Sequence, residues 1–329
     1  MDNPILKYLK QNHFLSTVLW LIGFAFIFLI KDILVLVFIS FILMATLSPA
    51  VDFLQKRKVP KILSVLISYL VILGVLFSLI IPLIPFLTEQ IQSLFNSLPK
   101  YLNQAASILR LPLSHSQLNS FLGNEASLIG QNAISVTSKI FGGLFSTLTV
   151  FVVSFYMLID KERIQKGVVS LFPKECQTKA NETVKLIEEK LGAWFRGQLL
   201  LCFSIGLLTW IALTILGIKF ALPLAVIAGI LEIIPTIGPI IASIPAIIVA
   251  LTISPTIAIA TALSYIAIQL LENNLLVPKI MQKAVGLNPI IIILAVVTGN
   301  RLLGVVGALL AIPFIAMIIL IFKNLKTSN

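Results

Sequence analysis

The 329-residue chain is 58% hydrophobic and 11% charged, with a mean hydropathy of +1.06. A soluble domain carries about 25% charged residues, so a soluble globular protein, a disordered chain and a collagen are excluded, and lipid is the solvent for most of the protein. The net charge of +11 does not point to nucleic acid, because the cations lie in short loops between apolar runs, where Lys and Arg set membrane orientation.

The uncharged runs predict helices, since only a helix or a closed barrel satisfies backbone groups in lipid and no segment alternates with the period of a barrel strand. Five spans are expected: 14–30, 33–54, 62–88, 140–160 and 198–217. The first run is longer than a signal-peptide core and lacks a small-residue cleavage site, so it is read as a span. With the N-terminus inside, only Lys31, Lys100, Arg110, Lys139, Lys219 and Arg301 of the 24 Lys and Arg fall outside. Both termini are therefore expected on the cytoplasmic side of the membrane. The loop Lys56-Arg57-Lys58-Val59-Pro60-Lys61 is the strongest single vote; it holds no acid and would attract anionic headgroups.

The domain plan has five parts. Residues 1–88 form three N-terminal spans and 140–160 a fourth. Residues 89–139 form an extracytoplasmic insertion, in which Leu87, Ile91, Leu94, Phe95, Leu98 and Leu102 recur at helical spacing. That stripe packs on its own protein or a sister subunit, or serves as an external lid. Residues 161–196 form a cytoplasmic loop with a solvated helix over 178–194. Residues 197–329 form a C-terminal membrane domain of broken hairpins.

Half of the 16 prolines lie in that last block: Pro223, Pro235, Pro239, Pro245, Pro255, Pro278, Pro289 and Pro313. An interior proline breaks or kinks a helix at a cost of roughly 3 kcal/mol in water. In lipid the freed groups need protein or a wet cavity, a device transporters use at the bilayer midplane. Glu232-Ile-Ile-Pro235-Thr236-Ile-Gly238-Pro239 separates apolar runs 221–231 and 240–254, each short for a span, and predicts a helical hairpin. Glu232 is the only acid in 220–271. A carboxylate at mid-span costs about 2.5–3.5 kcal/mol, so either the tip reaches the aqueous edge or Glu232 faces a cavity or partner.

Gln269, Glu272 and Asn273 form a second polar patch, with Gln269 and Asn273 four apart on one helix face; it could bind a polyhydroxylated solute or a cation, or merely cap a helix. The run 286–299 suits a re-entrant or tilted segment turning at Gly299-Asn300-Arg301, with Gly304 and Gly307 allowing close helix approach. Arg196, Gln198, Asn300 and Arg301 are candidate anchors or clamps. Cys176 and Cys202 read as free thiols, with no CxxC and no metal-ligand spacing.

Ser154-Phe-Tyr-Met-Leu-Ile-Asp160, Phe195-Arg-Gly-Gln198, the Glu232–Pro239 string, Gln269-Leu-Leu-Glu-Asn-Asn-Leu-Leu-Val-Pro278 and Gly304-Val-Val-Gly-Ala-Leu-Leu-Ala-Ile-Pro313 occur in order. With them the chain resembles the autoinducer-2 exporter family, the PerM-like permeases. The match runs from about residue 150 to 315, and the first 150 residues fit in span layout more than in motif. The resemblance implies a multi-pass inner-membrane transporter, with export of the quorum-sensing furanone as the name-giving activity; some relatives look like sodium/proton antiporters. It establishes no catalytic residue.

The fold class expected is all-α: a polytopic helical membrane protein with a hairpin or re-entrant C-terminal block. Secondary transport of a small solute leads, with autoinducer-2 as the solute the resemblance implies and a sodium(lithium)/proton antiporter as the alternative. An oligomeric scaffold or channel without coupled transport is the reading of another class. The pathway residues expected are Glu232, Pro235, Thr236, Gly238, Pro239, Gln269, Glu272 and Asn273. No P-loop is present. HExxH, GxSxG and an intramembrane Asp pair are missing too, so no enzyme is expected. No metal or cofactor is expected. The partners expected are the solute or ion, the lipid bilayer and further copies of the chain in a homo-oligomer of open state; nucleic acid is not.

Overall fold

The structure is a computed structural model that describes residues 28–74, 133–234, 237–281 and 289–326, with residue 78 and a few positions before residue 28. Part of the first expected span, the end of the third and residues 89–132 of the expected insertion 89–139 lie outside these residues. The described residues contain helices and no strand, as the uncharged runs require.

Helix α1 (Lys31–Lys56) covers the second expected span. Helix α2 (Lys61–Gly74) starts after Pro60, whose carbonyl accepts from Ser64 N at 2.9 Å. Helix α3 (Ala133–Ile159) covers the fourth. Met44, Leu47 and Val51 of α1 pack on Val65 and Tyr69 of α2 and Leu158 of α3. Tyr69 is wedged edge-on against Phe151 and Phe155, and its hydroxyl meets Ser154 Oγ at 2.5 Å. Ser40 and Ser68 return their hydroxyls to the carbonyls of Leu36 and Ser64, at 2.8 Å each. This three-helix unit therefore buries polar groups in pairs, as a dry interior demands.

Helix α4 (Lys161–Ser170) is short and surface-bound. Helix α5 (Gln177–Ile215) is one helix of 39 residues, about 58 Å long at 1.5 Å per residue. The solvated helix expected at 178–194 and the fifth span are thus continuous. No proline interrupts 177–215, and Gly192 does not break the helix but admits α1: a Cβ there would lie 2.3 Å from the Ala45 carbonyl oxygen. Pro49 in α1 has no N–H for that same carbonyl. Arg196 Nη1 donates to it at 3.2 Å and to Thr46 O at 3.0 Å. The close approach at Gly192 and the guanidinium one turn later together repair the proline gap.

The C-terminal block is made of hairpins. Gly217 (φ 67) and Phe220 (φ 63) turn the chain in left-handed backbone into α6 (Ala221–Leu231) and α7 (Ile237–Leu251). These helices of 11 and 15 residues reach about 16 and 22 Å, short of the ~30 Å hydrocarbon thickness. Helix α8 (Pro255–Leu271) opens with Ser254, whose hydroxyl accepts from Ile257 N at 3.1 Å, and with proline at the first position. It runs into a π turn (Glu272–Leu276) and the single-turn α9 (Val277–Ile280). Leu213, Leu224, Ala228, Ala242, Ala246, Val249 and Tyr265 join α5 to α8 in one core; the alanines let the short helices lie close.

Helix α10 (Pro289–Lys326) is two helical legs joined by a kink at Gly304 (φ 62, ψ −148). Its two legs fold back on each other: a Cβ on Gly299 would stand 2.3 Å from Gly307 O, and one on Gly307 2.0 Å from Gly299 O. Residues eight apart along a straight helix would be about 12 Å apart. The re-entrant segment therefore turns at Gly304, not at 299–301 as expected. Gly304 alone of these positions supplies the backbone only glycine tolerates, and Gly299 with Gly307 forms the crossing. Ile234, from the tip between α6 and α7, packs on Val296, Ala308 and Ala311 of this second hairpin.

Candidate functional site

The α6–α7 tip places one side chain with care. Glu232 follows the last turn of α6, held by Glu232 N donating to Ala228 O at 3.0 Å and Ile234 N to Leu231 O at 3.0 Å. Gly238 lies against the Leu231 carbonyl, where a Cβ would be 2.0 Å away, and so keeps α7 tight on the end of α6. Pro239 is buried one residue on; Pro235 and Thr236 lie outside the described residues. The result is a Glu232 side chain that is 0% exposed.

The π turn supplies the partner. Glu272 is its first residue and is 2% exposed. Its carboxyl group is an electrostatic neighbour of the Glu232 carboxyl. Gln269 Nε2 donates to Glu272 Oε2 at 2.9 Å. Gln198 on α5, 1% exposed, donates from Nε2 to the backbone carbonyl of Glu232 at 2.8 Å. Beyond these bonds the site is open: Glu232 Oε1, Glu232 Oε2 and Gln198 Oε1 are buried and accept no hydrogen bond from any described residue. The salt bridges among the described residues, Lys61–Glu162 and Lys161–Glu188, involve neither glutamate. Buried oxygens without a donor from the described residues are positions where a proton or a bound cation would be favourable. Carboxylates, amide oxygens and backbone carbonyls suit hard ions; no cluster of three or more His, Cys, Asp or Glu exists among the described residues to hold a transition metal.

The other expected residues are elsewhere. Asn273 and Asn274 are exposed, and Asn274 Nδ2 is spent on Leu270 O at 2.8 Å. The helix face that Gln269 and Asn273 were expected to share ends at the π turn, so Glu272 faces inward with Gln269 while Asn273 does not. Asn300 and Arg301 are exposed on the first leg of α10, away from the pair. Arg196 serves α1, as described. Of the described residues with a buried, unpartnered polar atom, Thr209 of α5 escaped the sequence reading: it is 1% exposed with its Oγ1 unpartnered. Nothing in the sequence separates it from Ser204, whose hydroxyl returns to Leu200 O at 2.7 Å.

Long apolar helices, two hairpins whose legs are short or bent, and a buried acid pair at the break between them define a multi-pass membrane protein with broken helices of the transporter kind. Residues 14–327 match the AI-2E family transporter, and the chain belongs to that family. It is 32% identical over 323 residues to "Putative transport protein YueF" of Bacillus subtilis (strain 168), covering 91% of this chain and 86% of that protein. It is also similar to "Putative transport protein YrrI" of the same strain, at 27% over 301 residues, 88% of this chain and 85% of that protein. "Putative permease PerM" of Escherichia coli (strain K12) is 27% identical over 313 residues, with 90% and 88% covered. The chain is a membrane transporter by family.

Proposed function

We propose that this protein is a secondary transporter of the bacterial inner membrane, with both termini in the cytoplasm, whose coupling site is the Glu232–Glu272 pair. The observation that carries the reading is Glu232: fully buried, with neither carboxylate oxygen bonded. The pair binds either a proton or a sodium or lithium ion. Exchange conserves charge at the site: one proton leaves as one monovalent cation arrives. Glu232 rides on the α6–α7 hairpin and Glu272 on the π turn, so a rocking of the hairpin against α8 changes which side the pair faces. Gln198 ties the hairpin end to the long α5, and Gln269 orients Glu272. Gly238 and Pro239 move with the hairpin tip, and Asn273 is the outermost pathway group.

The test is the full chain in proteoliposomes with a pH dye inside. Sodium or lithium addition should move protons in the opposite direction, and potassium should not. The apparent Km for sodium should rise as pH falls, because the two ions compete for one pair. Glu232→Gln should abolish the response while the protein elutes and melts as wild type. An unchanged response in Glu232→Gln removes the proposal. Autoinducer-2, the furanone that the family resemblance implies, is the solute to test on the same vesicles, as counterflow of the labelled compound. The acid pair favours an ion as the coupled species, and the furanone arm rests on kinship.

A further inference from the structure

The cytoplasmic end of α1 carries a feature that neither folding nor ion coupling requires. The helix closes with Arg57 N donating to Leu54 O at 3.0 Å and Lys58 N to Gln55 O at 2.9 Å. Lys58 takes left-handed backbone, φ 65. That position after a helix normally goes to glycine or asparagine, since other side chains crowd the backbone there. Here the strained position holds a cation.

The surroundings explain what the cation faces. Lys56, Arg57 and Lys58 are exposed, and Arg57 stacks over the Phe53 ring at 4.6 Å. Lys61 pairs with Glu162 at 3.8 Å, which sets the first turn of α4 beside this loop. Lys161 is committed to Ser48 Oγ at 2.6 Å and Glu188 at 2.5 Å. Arg163 and Lys166 on α4 are exposed, and with Lys56 and Lys58 they form no ion pair among the described residues. Asp52, one turn before Lys56, is the exposed acid on this stretch of α1. Apolar side chains lie open on the same elements: Phe53 at 55%, Ile62 at 59% and Leu171, just past α4, at 83% exposure. Unpaired cations interleaved with exposed apolar side chains, at the end of a spanning helix, fit the boundary where acyl chains give way to phosphates.

We propose that the α1–α2 loop and the first turns of α4 form a binding surface for anionic phospholipid headgroups. Lys58 and Arg163 contact the phosphates, and Leu171 enters the acyl layer beside them. A basic residue near an anionic leaflet contributes about fivefold in affinity, corresponding to ~1 kcal/mol. The inference is independent of the ion-coupling reading, because its readout is lipid binding and not transport.

The experiment uses the full chain in neutral detergent, with Tm followed as lipid is titrated. Phosphatidylglycerol should raise Tm saturably, while phosphatidylcholine and glycerol 3-phosphate should not. Lys58→Gly should leave Tm in phosphatidylcholine equal or higher, because glycine relieves the left-handed backbone, yet it should weaken the phosphatidylglycerol response about fivefold. Adding Arg163→Gln should weaken it about fivefold again. Lys58→Asn, which also tolerates this backbone, repeats the test should glycine loosen the loop. The proposal is overturned if the double variant binds phosphatidylglycerol like wild type, or if phosphatidylcholine stabilises equally. Equal stabilisation by glycerol 3-phosphate overturns it too, since the surface would then be a plain anion site.

Discussion

The α1–α3 unit and the α6–α10 block are built from the same apolar alphabet, but they treat buried polar groups differently. In the first, Ser40 and Ser68 bond the preceding helical turn and Tyr69 is closed by Ser154. Even the proline gap at Pro49 is filled by Arg196 from α5. In the second, and in the part of α5 that faces it, Glu232, Gln198 and Thr209 keep buried oxygens without partners. Burying an unsatisfied polar atom costs about 1–3 kcal/mol, so a chain that satisfies its polar groups so thoroughly elsewhere would shed these unless something else met them. The contrast separates a scaffold from a site. Polar groups that are satisfied hold helices together, and on the proposed reading those left open at Glu232 take the coupling ion.

Substitutions can break or sharpen that contrast. The largest effect is expected at Glu232: Glu232→Gln should eliminate cation-driven proton movement, with Tm equal to or above wild type because an uncompensated buried carboxylate is removed. A variant that unfolded instead would mark the pair as scaffold. Next come the backbone crossings of the block. Gly299→Ala and Gly238→Ala drive a methyl into a carbonyl and should cost about 3 kcal/mol or more, beyond ordinary overpacking because backbone cannot swing aside. Thermal melts in detergent would read this as a large fall in Tm together with lost transport. Tyr69→Phe belongs to the scaffold and removes one buried hydroxyl bond. It should lower stability by about 1 kcal/mol and leave exchange rates intact; a transport defect larger than the stability loss would blur the division between the two regions. The smallest effect is expected at the rim. Lys61→Gln breaks a 3.8 Å pair whose acid is 79% exposed and should shift stability by no more than about 0.5 kcal/mol.

Much of this was legible in the residues. Composition alone placed the chain in lipid, because too few charges exist to clothe a soluble surface. The uncharged runs located α1, α3 and the apolar half of α5. Proline and glycine at 232–239 marked the first hairpin, and the lone acid there marked the residue to watch. Each of these is a local property, fixed by hydropathy or by the allowed backbone of one residue. The continuity of α5 was less legible: a charged first half and an apolar second half read as two elements, although no residue between them breaks a helix.

Other features depended on distance through space. Sequence put Glu232 and Glu272 forty residues apart on separate candidate patches. Only the fold-back of α6 and the extra residue per turn at Glu272–Leu276 make them neighbours. Gly299, Asn300 and Arg301 looked like a turn. The turn fell at Gly304 because one glycine had to supply the reversed backbone while the other two crossed. Hydrophobicity and backbone preference decide which segments enter the bilayer and where they break. Which polar atoms are left unpaired is decided by how the helices pack, and that is why the acid pair emerged only from the tertiary structure.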